Sequence, residues 1–507
     1  MFAKLMSMGL YGINAFPVEV EVDISQGMPM YETVGLPDTA VKESRDRVRA
    51  AIKNCGYDFP VNRITVNLAP ADIRKVGSIY DLPVLMAILS AHRQITPPPQ
   101  SCAFIGELSL DGRVRKVDGV LPMTIEAKDI GLKTIFIPAE NAPEASVVEG
   151  IEVIPVKTVD ELILHTSGER LIPAAKPDTY FTQTGELLPD FAEVRGQKEA
   201  KRALEVATAG GHNVLLIGPP GSGKSMLAKR IPSILPDLSF EESIETTKIH
   251  SIAGVLPSGV PLISKPPFRS PHHNASPTSI SGGGTVPRPG EISLSHNGVL
   301  FLDELPEFSK YAMEILRQPL EDGQITISRA AGRITYPCSV MLVAAMNPCK
   351  CGFFGHPTKA CSCSKNAVSQ YLSRISGPLL DRLDIHIEVP PVDYASLSRK
   401  QDSEPSAEIR KRVTRVRQIQ QERFKGTGIA CNARITPALI RTVCEMTEDA
   451  AKLLNTAFDT LGLSGRAFDR ILKVARTIAD LEGEEKLASS HIAEAIQYRS
   501  LDRKYWS

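Results

Sequence analysis

The stretch NVLLIGPPGSGKSMLAKRI, residues 213–231, constrains the fold more than any other part of this 507-residue chain. Val214 to Ile217 are continuously apolar, the pattern of a strand buried on both faces. Gly218, Pro219, Pro220, Gly221, Ser222, Gly223, Lys224 and Ser225 follow in the spacing G-x-x-x-x-G-K-[ST], and a helical segment begins at once. Strand, glycine loop and helix in that order make a cradle of backbone N–H groups at the positive end of a helix, which suits a chain of phosphates. Lys224 is expected to reach the β- and γ-phosphates, and Ser225 to hold Mg²⁺.

Two more apolar runs support this reading. GVLFLDELPEF places Asp303 and Glu304 at the C-terminal end of a second buried strand, the end where open α/β sheets bind ligands. Asp303 is expected to bind Mg²⁺ through water, and Glu304 to orient and polarise an attacking water. SVMLVAAMN ends a third strand on Asn347, which is placed to hydrogen-bond the γ-phosphate or the water. Together these residues point to hydrolysis of ATP.

The remainder of the chain is read around this centre. Its length calls for two to four domains. Residues 1–172 mix strands and helices in an α+β pattern: FPVEVEVDIS alternates like a half-buried strand, and DTAVKESRDRVRAAIKNCG is a helix capped by Asp38 and stopped at Gly56. Residues 173–190 are proline-containing and aperiodic, hence a linker. Residues 191–395 alternate strand and helix, the mark of a mostly parallel, helix-covered sheet. Residues 396–408 form a polar break, and the rest of 396–507 is helical. The fold class is therefore α/β multidomain. Lys+Arg and Asp+Glu both number 58, so the formal net charge is zero and a general coat for polyanions is excluded, though a local basic surface is not. No apolar run approaches the ~18 residues that span a bilayer. The N-terminus lacks a secretory pattern, and the nine cysteines are odd in number and mostly scattered. A cytoplasmic, reduced protein with no membrane partner is expected.

Four of those cysteines fall in NPCKCGFFGHPTKACSCS. Cys349, Cys351, Cys361 and Cys363 form two Cys-x-Cys pairs, and Gly352 and Gly355 permit the chain reversals that would bring the pairs together. Four thiolates suit a closed, structural Zn²⁺ site, with His356 as an alternative ligand. Unligated thiols and redox disulfides stay open as readings. The cluster begins beside Asn347 and precedes the arginines of the next segment.

The phosphate loop, LDE, strand-end Asn347, GPLLDRLD and a helical C-terminal domain carrying SGRAFDRIL resemble the AAA+ ATPases, and more narrowly the magnesium-chelatase-like branch related to the MCM helicases. FRSPHHNASPTSISGGGTVPRPGEISLSHNGVLFLDELPEF and LSGRAFDRILKVARTIADLEG resemble the ComM/YifB family, and the resemblance covers essentially the whole chain. It implies a homo-hexameric ring with ATP between subunits. It assigns the trans-acting arginine finger to Arg382, with Arg374 second, and the sensor-2 role to Arg466. That assignment implies that the cysteine cluster clasps a subunit-boundary loop, so that loss of Cys361 would damage ring assembly before nucleotide binding. It places the hairpin DGQITISRAAGRITYPC at the pore, where Arg329 and Arg333 would grip phosphates. It marks Arg269, His272 and His273 as nucleic-acid contacts in an insertion before the acidic strand. The implied activity is a DNA translocase or helicase that promotes branch migration on single-stranded or branched DNA, in recombination or natural transformation. A protein remodeller of magnesium-chelatase type, working without DNA, is the alternative. The basic segment SAEIRKRVTRVRQIQQERFKG reads either as a solvated helix joining core to lid or as a DNA-facing stripe.

GELSLDGRVRKVDGV and LKTIFIPAEN resemble the Lon protease domain, which raises a Ser–Lys peptidase as a third function. Aligned this way, Ile79 occupies the serine position and Leu121 the lysine position, so the dyad is missing. Ser78 and Lys116 lie nearby. The domain is expected to be a structural or DNA-binding platform, with Arg63, Arg74 and Lys75 as a basic edge.

Overall fold

The structure is a computed structural model describing residues 1–177, 188–284, 287–329, 332–391, 403–461 and 463–506. Most of the expected linker 173–190, the polar break up to residue 402 and residues 330–331 at the hairpin tip lie outside the described residues. The chain divides into two compact units.

The first unit contains Met1–Gly185, Phe240–Ser264 and Ser328–Tyr336. Its seven-stranded mixed sheet runs, edge to edge, Met30–Val34, Arg63–Ala69, Asn14–Ser25, Phe2–Tyr11, Cys102–Phe104, Thr134–Pro138 and Glu152–Val156. The alternation in FPVEVEVDIS decides which face is covered: Val18, Val20, Val22 and Ile24 are buried, while the acidic residues between them are not. Helix Thr39–Asn54 starts where Asp38 accepts a hydrogen bond from the Val41 amide, a cap that contributes about 1 kcal/mol. Helix Asp81–Ala91 is buried along its whole length, which is why its sequence shows no polar stripe. Its first carboxylate is matched by Arg47, with Nε 2.6 Å and one terminal nitrogen 3.0 Å from the two oxygens.

Lys75 corrects the expected basic edge. Its side chain is buried, and its ammonium donates to the carbonyl oxygens of Pro70 and, at 2.9 Å, Ile73. Burial lowers its pKa. A lysine caged by its own loop carbonyls is a structural clip, so of the three only Arg63 and Arg74 reach the surface.

Two segments from later in the chain, Phe240–Ser264 and Ser328–Tyr336, are held in this first unit. Ser251 Oγ donates to the buried Glu144 carboxylate at 2.5 Å, and the Gly119 amide donates to Ser251 Oγ at 3.1 Å. Ile334, on the second strand of the ribbon Gln324–Arg329 with Gly332–Pro337, lies so close to Gly12 that a Cβ there would stand 2.6 Å from its Cγ2.

The second unit contains a five-stranded parallel sheet in the order Phe268–Arg269, Gly298–Leu302, Val340–Met346, Val214–Ile217, Ile385–Glu388. Non-consecutive neighbours require crossovers, and helices supply them. Helices Lys198–Gly210, Ser406–Arg423 and Gly465–Glu482 share its core through residues such as Leu204, Val413 and Ala475. From Ser406 onward the regular structure is helical. The α/β class with a parallel sheet and helical C-terminal region is as the sequence indicates.

Candidate nucleotide-binding site and cysteine cluster

Strand register brings the site together. Ile217 lies opposite Met346, and Leu302 opposite Ala344, all in parallel. Gly218, Asn347 and Asp303 therefore leave the sheet along one edge, although up to 129 positions separate them in sequence. The loop turns into its helix at Gly223, whose φ of +94° disfavours any side chain. Lys224 Nζ donates to the carbonyls of Gly218 at 2.8 Å and Pro219 at 2.9 Å, and to Asn347 Oδ1 at 3.2 Å. Burial lowers its pKa, and Asp303 and Glu304 pull the other way. Ser225 Oγ donates to Asp303 Oδ2 at 2.5 Å. Residues proposed from three separate strands thus meet in one chain of contacts.

A serine hydroxyl and a carboxylate side by side are hard oxygen donors, the kind Mg²⁺ accepts while keeping several waters. Ser225 and Asp303 would hold the ion, which would supply positive charge to offset that of the phosphates. Glu304 adopts φ +53°, the left-handed region, and is more than half exposed at 55%. Left-handed backbone is strained for a residue other than glycine, and such strain gathers at functional turns. The imidazole of His273 sits 3.4 Å from the Glu304 carboxylate and edge-on to Phe308.

The three arginines assigned by resemblance differ in engagement. Arg382 donates to the carbonyls of Arg317 at 3.0 Å and Pro378 at 2.6 Å and pairs with Glu321. Arg374 is half exposed and reaches Glu307 and the Pro306 carbonyl at 3.0 and 3.1 Å. Arg466 is the most open at 66%, its nearest ionic partner being Asp381 at 3.9 Å. Arg269 is held by both oxygens of Glu291, at 2.7 and 2.8 Å. Arg333 is exposed, and the Arg329 side chain lies outside the described residues. The arginines of helix Ser406–Arg423 are committed locally: Arg410 to Asp237, Arg412 to Glu205 and Glu404, Arg423 to Asp480. Those contacts favour the helix that joins core to lid over the DNA-facing stripe.

Sequence reasoning missed a knot beneath the site. The Asn213 side chain accepts from the Leu342 amide and donates to the Arg382 carbonyl, both at 2.8 Å. Its own amide donates to Asp384, which lies 3.5 Å from His212 and 3.4 Å from Arg470. Burial works to raise the Asp384 carboxyl, but the His212 ring and the Arg470 charge hold it down at about 2. The phosphate strand, the Asn347 strand, the Arg382 turn and the lid helix are pinned at one point. The available signal was HN directly before the phosphate strand, with Arg470 one helical turn after Arg466.

The four cysteines do converge. All four sulfurs lie within 4.8 Å of one another, with Cys349–Cys351 at 3.3 Å, Cys351–Cys361 at 3.5 Å and Cys349–Cys361 at 3.7 Å. A tetrahedron with Zn–S bonds near 2.3 Å has edges of about 3.8 Å, so this donor set fits the ion. The Phe353 amide helps bring the Cys351 thiol down to about 5, while burial pushes Cys349 up. His356 is turned to its own loop, accepting from the Thr358 and Lys359 amides.

Ser78 and Lys116 do not form a dyad among the described contacts. Ser78 donates to Glu107, Lys116 reaches the Leu256 carbonyl at 3.4 Å, and Ile79 is buried.

A parallel sheet with this loop, acidic pair and strand-end amide defines an AAA+ ATP-binding core. The family model for magnesium chelatase subunit ChlI matches residues 190–397, flanked by a subunit ChlI match at 20–141 and the ChlI C-terminal match at 403–499. YifB of Escherichia coli is 43% identical over 495 residues, 97% of this chain and 96% of that protein. Competence protein ComM of Haemophilus influenzae is 42% identical over 507 residues, 99% of this chain and 98% of that protein. The chain belongs to the ComM/YifB group of the magnesium-chelatase-like AAA+ family. Shorter stretches are similar to DNA repair protein RadA of Bacillus subtilis, 39% over 88 residues (17% of this chain, 19% of that protein), and to its Lon protease 2, 29% over 174 residues (31% of each). Among the described residues no helix is long and apolar enough to cross a membrane.

Proposed function

We propose that this protein is a cytoplasmic ATP hydrolase that drives a homo-hexameric ring along single-stranded or branched DNA and promotes branch migration. The observation that carries hydrolysis is the continuous contact chain Asn347–Lys224 and Ser225–Asp303 on one sheet edge. Lys224 would shift from its carbonyl anchors to the phosphates. Mg²⁺ held by Ser225 and Asp303 would supply charge neutralisation. Glu304 would take the proton of the attacking water, with His273 setting its orientation. Arg382, Arg374 and Arg466 stand as candidates for stabilising charge on the transferring phosphoryl group, in cis or from a neighbour.

Support for DNA as the track comes from the relatives named for competence and DNA repair, and from Arg333, exposed on the strand Gly332–Pro337, where Ile334 and Tyr336 are buried. The N-terminal unit is read as a Lon-like platform without peptidase chemistry, consistent with the Lon similarity and the missing dyad. The cysteine cluster is read as a structural Zn²⁺ site. The second reading, a remodeller of proteins without DNA, is favoured by the match to a magnesium chelatase subunit.

A synthetic four-way junction with one labelled arm separates the readings. With ATP the protein should convert it to duplex products, and Lys224→Ala should not. Failure to convert the junction by a protein that hydrolyses ATP would favour the remodeller.

A further inference from the structure

The cysteine loop does more than follow Asn347 in sequence. Gly352, the residue after Cys351, lies directly against the phosphate loop: a Cβ on Gly352 would stand 2.4 Å from Pro220 Cδ and 2.7 Å from Cγ. A proline ring is fused to its backbone and has no rotamer to yield. The same loop is rooted at Asn347, whose amide oxygen touches Lys224 Nζ at 3.2 Å. Its buried first thiol, Cys349, is two residues on and accepts from the Phe354 amide at 3.3 Å. Phe354 in turn packs against Tyr505, their ring centroids 6.3 Å apart. The loop is therefore gripped between the C-terminal helix on one side and the phosphate loop on the other.

We propose that the four-cysteine loop is a positioning element of the nucleotide site, in which metal held by Cys349, Cys351, Cys361 and Cys363 fixes Gly352 against Pro220 and Asn347 against Lys224, so that metal occupancy sets affinity for magnesium nucleoside triphosphate. The inference rests on the ATP reading of the loop. It places the first consequence of losing the cluster at nucleotide binding rather than at ring assembly. The thiols are ligands, not reactants, and no redox step is involved.

Two glycines of the loop supply the test. Gly352 has φ +83° and Gly355 φ +73°, so alanine at either strains the backbone to a similar degree and leaves all four cysteines in place. Only at Gly352 does the new methyl meet Pro220; at Gly355 the nearest atom is Lys504 Cε at 3.8 Å. The full-length proteins are compared by zinc content and by equilibrium binding of a non-hydrolysable ATP analogue with Mg²⁺. Gly352→Ala should keep its zinc and bind the analogue about tenfold more weakly, while Gly355→Ala binds like wild type. Adding Pro220→Ala to Gly352→Ala should recover part of the loss, because the obstructing ring atoms are gone. Stripping zinc from wild type should weaken binding in the same direction, and restoring zinc should reverse it. Equal affinity of both glycine variants, or unchanged affinity after zinc removal, overturns the coupling. Wild-type protein that binds no analogue at all overturns the ATP reading instead.

Discussion

Asn347→Ala tests the role of the strand-end amide with a magnitude the structure fixes. Lys224 Nζ has three acceptors, the carbonyls of Gly218 and Pro219 and the amide oxygen of Asn347. The substitution removes the longest of these contacts and leaves the lysine anchored by the other two. If Asn347 reads the terminal phosphate as proposed, the substitution also removes an amide donor to it. A hydrogen bond to a charged group contributes about 1.5–3 kcal/mol, and 1.4 kcal/mol is a factor of ten, so kcat/KM for ATP should fall about 10- to 100-fold. ADP has no third phosphate, so its Kd should stay within about threefold of wild type. Steady-state hydrolysis and calorimetric ADP binding are measured on the same preparation. Equal losses for ATP and ADP would show that Asn347 only shapes the loop. An unchanged kcat/KM would remove it from the site.

Two further outcomes follow from the ionisable groups. The folded pKa of Asp384 lies below its ordinary value, so its stabilisation is fully present above about pH 4 and is lost as pH falls through about 2. The shift corresponds to roughly 2 kcal/mol, and urea unfolding of Asp384→Asn should show lower stability at neutral pH and a flatter acid limb; parallel pH profiles would refute the assignment. Metal analysis of purified protein should give about one zinc per chain, falling in Cys361→Ser; a wild-type value below about half an equivalent would refute the zinc site.

The parts of this architecture that the sequence displayed were those set by local pattern. A buried strand feeding GPPGSGKS can be recognised because strand, turn and helix are contiguous, and Asp38 marks its helix because a cap acts within three residues. Asn347 and Asp303 were legible as strand ends, since parallel sheets align such ends. What stayed hidden depends on long-range packing. Nothing local distinguishes Lys75, caged by carbonyls, from the exposed Arg74 beside it. The Asn213–Asp384–Arg470 knot joins positions up to 257 apart, and Gly352 meets Pro220 across 132. The ATPase-region segments gathered into the first unit likewise carry no signal of their destination. Glu144 pairs with Ser251 only because two separate elements converge on it.

The central claim, that ATP hydrolysis here is coupled to DNA, is tested most directly by the ATPase rate of the full-length protein with and without single-stranded DNA across a salt series. Stimulation that is strong at low salt and declines steeply as salt rises is the predicted result, because phosphate contacts release counterions. A basal rate that DNA leaves unchanged at every salt concentration would contradict it.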